Sequence, residues 1–276
     1  MDIMDEDYAI KMDAIRRYSL MDDFYMTEFF RDNIPAVQLV LRIILDNDDI
    51  IVEKVSTQST VPNLHGRSVR LDVFAKDSTG KRYNIEVQCE DKGASVRRAR
   101  YNGSLLDAGV TNPGDGYEDL PDVYVIFITR HDVLGKGLPI YHIDRMIEET
   151  KEKVEDGSRI IYVTSDYAAE TPLGMLMADF NNPDPHTMNY GILKDKAVCL
   201  KETEEGAEQI MCKISEELVE YGMKKGMEKG MEKGFLTVAM EMMKRSMPVQ
   251  MICELTKLSL EQLQELSKQS GIALVM

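Results

Sequence analysis

Two alternating segments, Ser68 to Ala75 and Arg82 to Cys89, flank Asp77-Ser78-Thr79-Gly80, and this pattern restricts the fold more than any other stretch of the chain. Asp and Ser cap their own turn through side-chain hydrogen bonds, and Gly supplies the positive φ that a tight reversal needs, so the pattern predicts an antiparallel hairpin. Side chains alternate between the two faces of a strand. Ile85 and Val87 therefore go to one face and Glu86 and Gln88 to the other. Asp72, between Leu71 and Val73, joins the polar face of the partner strand. With the loop centred near Thr79, facing residue numbers sum to 158, which sets Asp72 opposite Glu86. Directly opposed residues have Cβ atoms about 4.5–5.5 Å apart.

Two facing carboxylates repel, and the repulsion raises one pKa unless water or a cation lies between them. A hard cation such as Mg²⁺ or Mn²⁺ takes oxygen ligands at this spacing; it polarises a phosphate and activates water. Asp72 and Glu86 are the expected ligands, with the main-chain carbonyl of Val87 as a further oxygen and Gln88 placed to orient the attacking water. An ordinary solvated sheet with acids on its outer face accounts for the same pattern without a metal.

Around the hairpin the pattern is α/β. Apolar spacing from Ala14 to Leu45 predicts two helices, with Pro35 as a break or first-turn residue. Ile50 to Val55 reads as a short β run, Ala94 to Ala108 as a helix, and VYVIFIT (Val123 to Thr129) and RIIYVT (Arg159 to Thr164) as strands buried on both faces. Ile143 to Val154 reads as a charged helix, and the chain after Tyr167 as helical with a break at Asn181 to Pro185. Together these elements predict a mixed sheet with helices on it.

Near the C-terminus Gly222 to Gly234 repeats Gly-Met-Glu/Lys-Lys with a period of four. Such a row drifts around a helix and forms no stationary seam, and each interior Gly costs about 1 kcal/mol relative to Ala, so the repeat reads as a marginal helix or spacer. Short amphipathic helices follow at Val238 to Met247 and Pro248 to Thr256, with a Ser259-to-Gln262 capping box opening a last one. They resemble a small helix-turn-helix module, or equally a helical hairpin that packs on the core or forms a homodimer. The expected division is a core at 15–200, a spacer at 201–235 and a helical tail at 236–276.

The run Arg70-Leu71-Asp72-Val73 followed by Tyr83-Asn84-Ile85-Glu86-Val87-Gln88-Cys89 resembles the D…ExK strand pair of PD-(D/E)xK nucleases. It is closest to the branch of recombination-promoting nucleases and transposase-like proteins in which ExQ replaces ExK. Arg97-Arg98-Ala99-Arg100-Tyr101, YVIFIT and the GMEKG-type tail look like the same branch, so the resemblance covers roughly residues 20–270. It implies a restriction-endonuclease-like α/β fold with a helical C-terminal extension, Mg²⁺-dependent cleavage of DNA, and a link to DNA recombination or mobile elements. Carried over by position, Asp72 and Glu86 are metal ligands and Gln88 takes the place of the superfamily's lysine. That departure matters, because an amide brings no positive charge to the transition state. A first-helix carboxylate commonly joins the site in this superfamily; Asp22, Asp23, Glu28 and Asp32 all qualify. A nuclease-fold module that binds DNA or a protein partner without turnover is the alternative.

The net charge of −15 argues against nucleic acid until its distribution is considered. From His65 to Arg100 nine Lys or Arg face five acids, a window of +4 in a chain whose remainder is −19. Arg67, Arg97, Arg98 and Arg100 are the expected DNA contacts, and contacts to phosphate imply low sequence selectivity. A solvated helix face accounts for the three helical arginines equally well. The histidines His65, His131, His142 and His186 lack metal-ligand spacing and read as structural. No GxSxG, Walker loop or GxGxxG is present, which disfavours a serine hydrolase, a P-loop NTPase and a dinucleotide enzyme. Four scattered cysteines, an acidic N-terminus and no apolar run of about 20 residues point to a cytoplasmic protein that does not enter a membrane.

Overall fold

The structure is a computed structural model describing residues 12–13, 15–63, 68–89, 93–111, 114–211, 238–245, 247–256, 263 and 266–267. The chain divides into two compact units, 1–211 and 212–276. The first opens with helices α1 (Asp23–Phe30) and α2 (Ile34–Leu45). Asn33 caps α2 by accepting from the Ala36 amide, and Pro35 sits in its first turn, where the missing N–H costs nothing. Both helices send apolar residues to the core, among them Tyr25, Phe29, Phe30, Val37, Val40 and Leu41.

A six-stranded sheet follows in the order β1-β2-β3-β4-β6-β5. Its strands are β1 (Val52–Val61), β2 (Val69–Asp77), β3 (Arg82–Gln88), β4 (Val123–Thr129), β5 (Ile140–Ile143) and β6 (Ser158–Thr164). β1, β2 and β3 form an antiparallel meander, β3, β4 and β6 run parallel, and β5 returns antiparallel on the edge. Helix α3 (Val96–Ala108) makes the crossover from β3 to β4. Ala99, Leu105 and Leu106 of α3 pack on Val125 and Phe127 of β4 and Tyr162 of β6. Ile126 and Ile128, the alternate residues of β4, are buried as well, so this strand is covered on both faces as its unbroken apolar run predicts. Helices α4 (Pro172–Asn181) and α5 (Gly191–Glu202) follow, with Phe180 of α4 against Phe30, and a helical run at 204–211 ends the unit.

The β2–β3 turn is built by Asp77. Its Oδ1 accepts from the Thr79 and Lys81 amides and from the Thr79 hydroxyl, while Oδ2 accepts from the Tyr83 hydroxyl at 2.7 Å. The resulting pairs, Val73↔Ile85, Phe74↔Asn84, Ala75↔Tyr83 and Lys76↔Arg82, have the register read from the sequence.

Two expectations are corrected. The β run expected at Ile50 to Val55 extends to Val61, as the partner of all of β2. Ile143 to Val154 is not a helix: β5 ends at Ile143, Met146 bridges Lys153, and Lys151 turns the chain at φ +61°. A surface helix needs one face to bury, and here Met146 and Ile147 stay 56 % and 42 % exposed. The charges that mimic helical spacing instead pair across the loop, as Lys153 with Asp144 and Arg145 with Asp156.

In the second unit residues 238–244 are helical and are followed by helix α6 (Val249–Thr256). Ala239, Met242, Met243, Ile252 and Leu263 form its apolar cluster. The repeat at Gly222 to Gly234, the capping box at Ser259 to Gln262, and His65 and Arg67 lie outside the described residues. Among the described residues no helix is long and apolar enough to cross a membrane.

Candidate active site

Asp72 lies one step beyond the last paired residues of β2 and β3, where the ladder gives way to a side-chain contact. The Val87 amide donates to Asp72 Oδ2 at 3.2 Å, so one carboxylate oxygen takes the donor that a further rung would have used. The pleat of β2 is interrupted here. Leu71 and Phe74, three residues apart, both pack against the cluster beneath α3, which strict alternation forbids. On the other flank, β1 pairs Thr57 with Val73 and Ser59 with Leu71, and between them Gln58 adopts φ +53°. A left-handed Gln inside a strand stores strain of about 1 kcal/mol or more and marks a place where geometry outranks regularity.

Glu86 is fully buried and Asp72 is 8 % exposed, so the polar face of the hairpin is not the solvated surface that the sequence also allowed. A side chain of α3, packed on the neighbouring β4, reaches over it. Ser95 caps this helix by accepting from the Arg98 amide, and Tyr162 anchors the approach by donating to the Ala94 carbonyl at 2.9 Å. Arg98 then turns inward. Its Nη2 lies 2.5 Å from Glu86 Oε2, its Nη1 donates at 3.3 Å to Gln88 Oε1 and to the Gly93 carbonyl, and its guanidinium carbon sits 5.6 Å from the Phe127 ring centroid. Gln88 Nε2 donates to the Val87 carbonyl at 3.2 Å, which fixes the amide's orientation. Gly93, at φ +133°, leaves the room: a Cβ there would stand 2.8 Å from Gln88 Oε1.

The two carboxyls are electrostatically poised. Burial, then the Glu86 charge, then that of Asp23 push Asp72 up to about 8. Burial also raises Glu86, opposed by Arg98. The structure separates the four first-helix acids. Asp22 accepts from the Ser19 amide and hydroxyl, Glu28 is buried and held by Arg31 and Gln209, and Asp32 sits exposed past the end of α1. Asp23 alone among the four acts on both Asp72 and Glu86, and the Gln58 amide reaches it at 3.5 Å and Thr27 Oγ1 at 2.9 Å.

The donor chemistry fits a hard divalent cation. Glu86 divides its oxygens: Oε2 holds Arg98, while buried Oε1 makes no hydrogen bond of good geometry, the Asn84 side chain standing near enough only to lower the Glu86 pKa. A cation beside Asp72 would satisfy that oxygen and remove the repulsion between the two acids. Among the described residues no three of His, Cys, Asp and Glu converge closely enough to hold a metal by themselves. The set is thus two carboxylates with main-chain oxygen, as in Mg²⁺ sites completed by water and phosphate. The Val87 carbonyl would have to share its bond from Gln88.

Arg97 and Arg100 are exposed on α3, next to the inward Arg98. Sequence reasoning missed Gly93 and Gln58 altogether, along with two buried amides, Asn84, whose side chain lowers the Glu86 pKa, and Asn102, whose nitrogen and oxygen atoms both lack hydrogen-bond partners. A Gly in a turn was the only available signal for the first. The others arise from packing.

No curated protein and no solved structure matches the chain. A family model does. It covers residues 35–168, just under half of the chain, from α2 through the whole sheet, including Asp72, Glu86, Gln88 and Arg98. The mixed sheet flanked by helices, with helices at the C-terminus, agrees with the restriction-endonuclease-like α/β fold of that family. Residues 35–168 of this chain match the model of the PD-(D/E)XK nuclease family transposases.

Proposed function

We propose that the protein is a metal-dependent endodeoxyribonuclease that hydrolyses phosphodiester bonds with low sequence selectivity, in DNA recombination or the movement of mobile elements. The observation that carries this reading is the buried Asp72/Glu86 pair with one carboxylate oxygen that makes no hydrogen bond of good geometry, inside the region that matches the nuclease family. Asp72 and Glu86 would hold Mg²⁺ or Mn²⁺, with the Val87 carbonyl as a further oxygen. When bound, the cation supplies Lewis acidity toward phosphate and lowers the pKa of water.

The chain's own residues do the rest. Ionised Asp72 and Glu86 bring negative charge to the cation, and Asp23 favours its uptake through the same field. Gln88 orients polar groups above β3. Arg97 and Arg100, exposed at the start of α3, would contact the backbone of DNA, and Arg67 is proposed as a further contact from the sequence alone. A homodimer through the C-terminal helices rests on the Met-rich repeat alone, and the native mass of the full chain in solution tests it.

The deciding experiment is nicking of supercoiled plasmid by wild type, Asp72→Ala and Glu86→Ala in Mg²⁺, Mn²⁺ and EDTA. Metal-dependent nicking lost in both variants is the expected result. A second reading, a DNA-binding or protein-binding module without turnover, is favoured by the neutral Gln88. Retention of plasmid without nicking in either metal would select it.

A further inference from the structure

We propose that Arg98, delivered from α3, supplies the positive charge that Gln88 cannot, contacting the phosphate under attack while Glu86 and Gln88 hold its guanidinium in place. This rests on the nuclease reading above.

Hydrolysis of a phosphodiester forms a bond from a water oxygen to phosphorus and breaks the bond to one ester oxygen. The water gives up a proton, and the leaving oxygen takes one. Between these events the phosphate oxygens and the leaving oxygen gain negative charge, and a preorganised donor aimed at them stabilises the transition state more than the ground state. Asp72, Glu86 and Gln88 include no cation. Among the described residues, Arg98 is the cation whose side chain bonds to two of the three.

Its geometry suits the task. The side chain is 35 % exposed although its partner Glu86 is fully buried, so the guanidinium is held on its inner edge and open on its outer one. The planar fork has five N–H donors, more than the contacts to Glu86, Gln88 and Gly93 consume. Because Glu86 gives Oε2 to Arg98 and leaves Oε1 without a hydrogen bond of good geometry, one carboxylate can serve guanidinium and cation together. Gln88 is then a matched positioning residue. Its Nε2 is fixed by the Val87 carbonyl, its Oε1 faces Arg98, and a lysine at this position would repel the guanidinium.

The test uses the full chain. Arg98→Gln should melt lower, because buried Glu86 loses its ion-pair partner, yet stay folded at the assay temperature and keep its Mn²⁺ affinity, measured by calorimetry with the metal alone, within about threefold of wild type, while kcat falls about 10²–10³-fold, the range for loss of one preorganised donor. Free guanidinium ion should restore part of the rate to Arg98→Ala. Gln88→Lys should slow the wild type but raise the rate of Arg98→Gln at least tenfold, which a merely structural role for Arg98 does not predict. Cleavage by Arg98→Gln within threefold of wild type would overturn the inference while leaving the nuclease reading standing. So would a loss of Mn²⁺ affinity that accounts for the whole rate loss, with no rescue by Gln88→Lys. Absence of cleavage by wild type in both metals would overturn the nuclease reading, and this inference with it.

Discussion

Gln58 and Asp72 face each other across β1 and β2 at the level where the pairing lapses between Thr57↔Val73 and Ser59↔Leu71. Gln58 holds φ +53° there, and its Nε2 donates to Thr27 Oγ1. The strained strand residue thus ties α1 to the level of the acidic pair. Gln58→Gly releases about 1 kcal/mol of strain and loses a hydrogen bond of similar worth, so its stability should match wild type within about 1 kcal/mol. Gln58→Val loses the bond and worsens the strain, and should unfold about 2–3 kcal/mol more easily in urea. Equal stabilities for the two variants would show that the backbone relaxes at no cost.

Stability of the metal-free protein should depend on pH through Asp72. Its folded pKa of about 8 lies above the ordinary 3.8, so between these values the folded chain keeps a proton that the unfolded chain releases. That contribution is complete below about pH 4 and is lost as pH rises through about 8. In EDTA the melting temperature should fall from pH 5 to pH 9, and Asp72→Asn should flatten the fall. Identical slopes for the two proteins would remove Asp72 as the source.

Gly93 leaves space for the Gln88–Arg98 contact. Gly93→Ala places a methyl against Gln88 Oε1 in a backbone conformation that L-residues rarely adopt, so a loss of about 1–3 kcal/mol is expected. Activity should fall further than stability explains. An unchanged rate at a temperature where the variant is fully folded would argue against the matched pair.

Lys201 is 2 % exposed and clamps three segments, with Nζ 2.5–3.3 Å from the carbonyls of Arg16, Tyr18 and Pro183 and 4.8 Å from the Tyr25 ring centroid. Lys201→Met removes the donor and strands buried carbonyls, which should cost about 2–4 kcal/mol in urea unfolding. A smaller loss would mean that water enters the neighbouring cavity of about 240 Å³ and replaces the ammonium.

By itself the sequence determined the elements whose cause is local. Asp77 to Gly80 set the turn and hence the register of β2 against β3, and unbroken apolar runs identified β4 and β6. Side-chain chemistry that closes within a few residues, or a strand buried on both faces, leaves its mark in the order of residues. What depended on contacts distant in sequence was decided only by the tertiary structure. Ile143 to Val154 has helical spacing but no surface to pack on, and became β5 and an ion-paired loop. The inward turn of Arg98 required α3 to pack on β4 and β6 beside β3, within reach of desolvated Glu86, which offers it a partner stronger than water. The proximity by which Asp23 raises the Asp72 pKa, and the break of the pleat at Asp72 opposite Gln58, likewise follow from where α1 meets the sheet rather than from any residue's own preference.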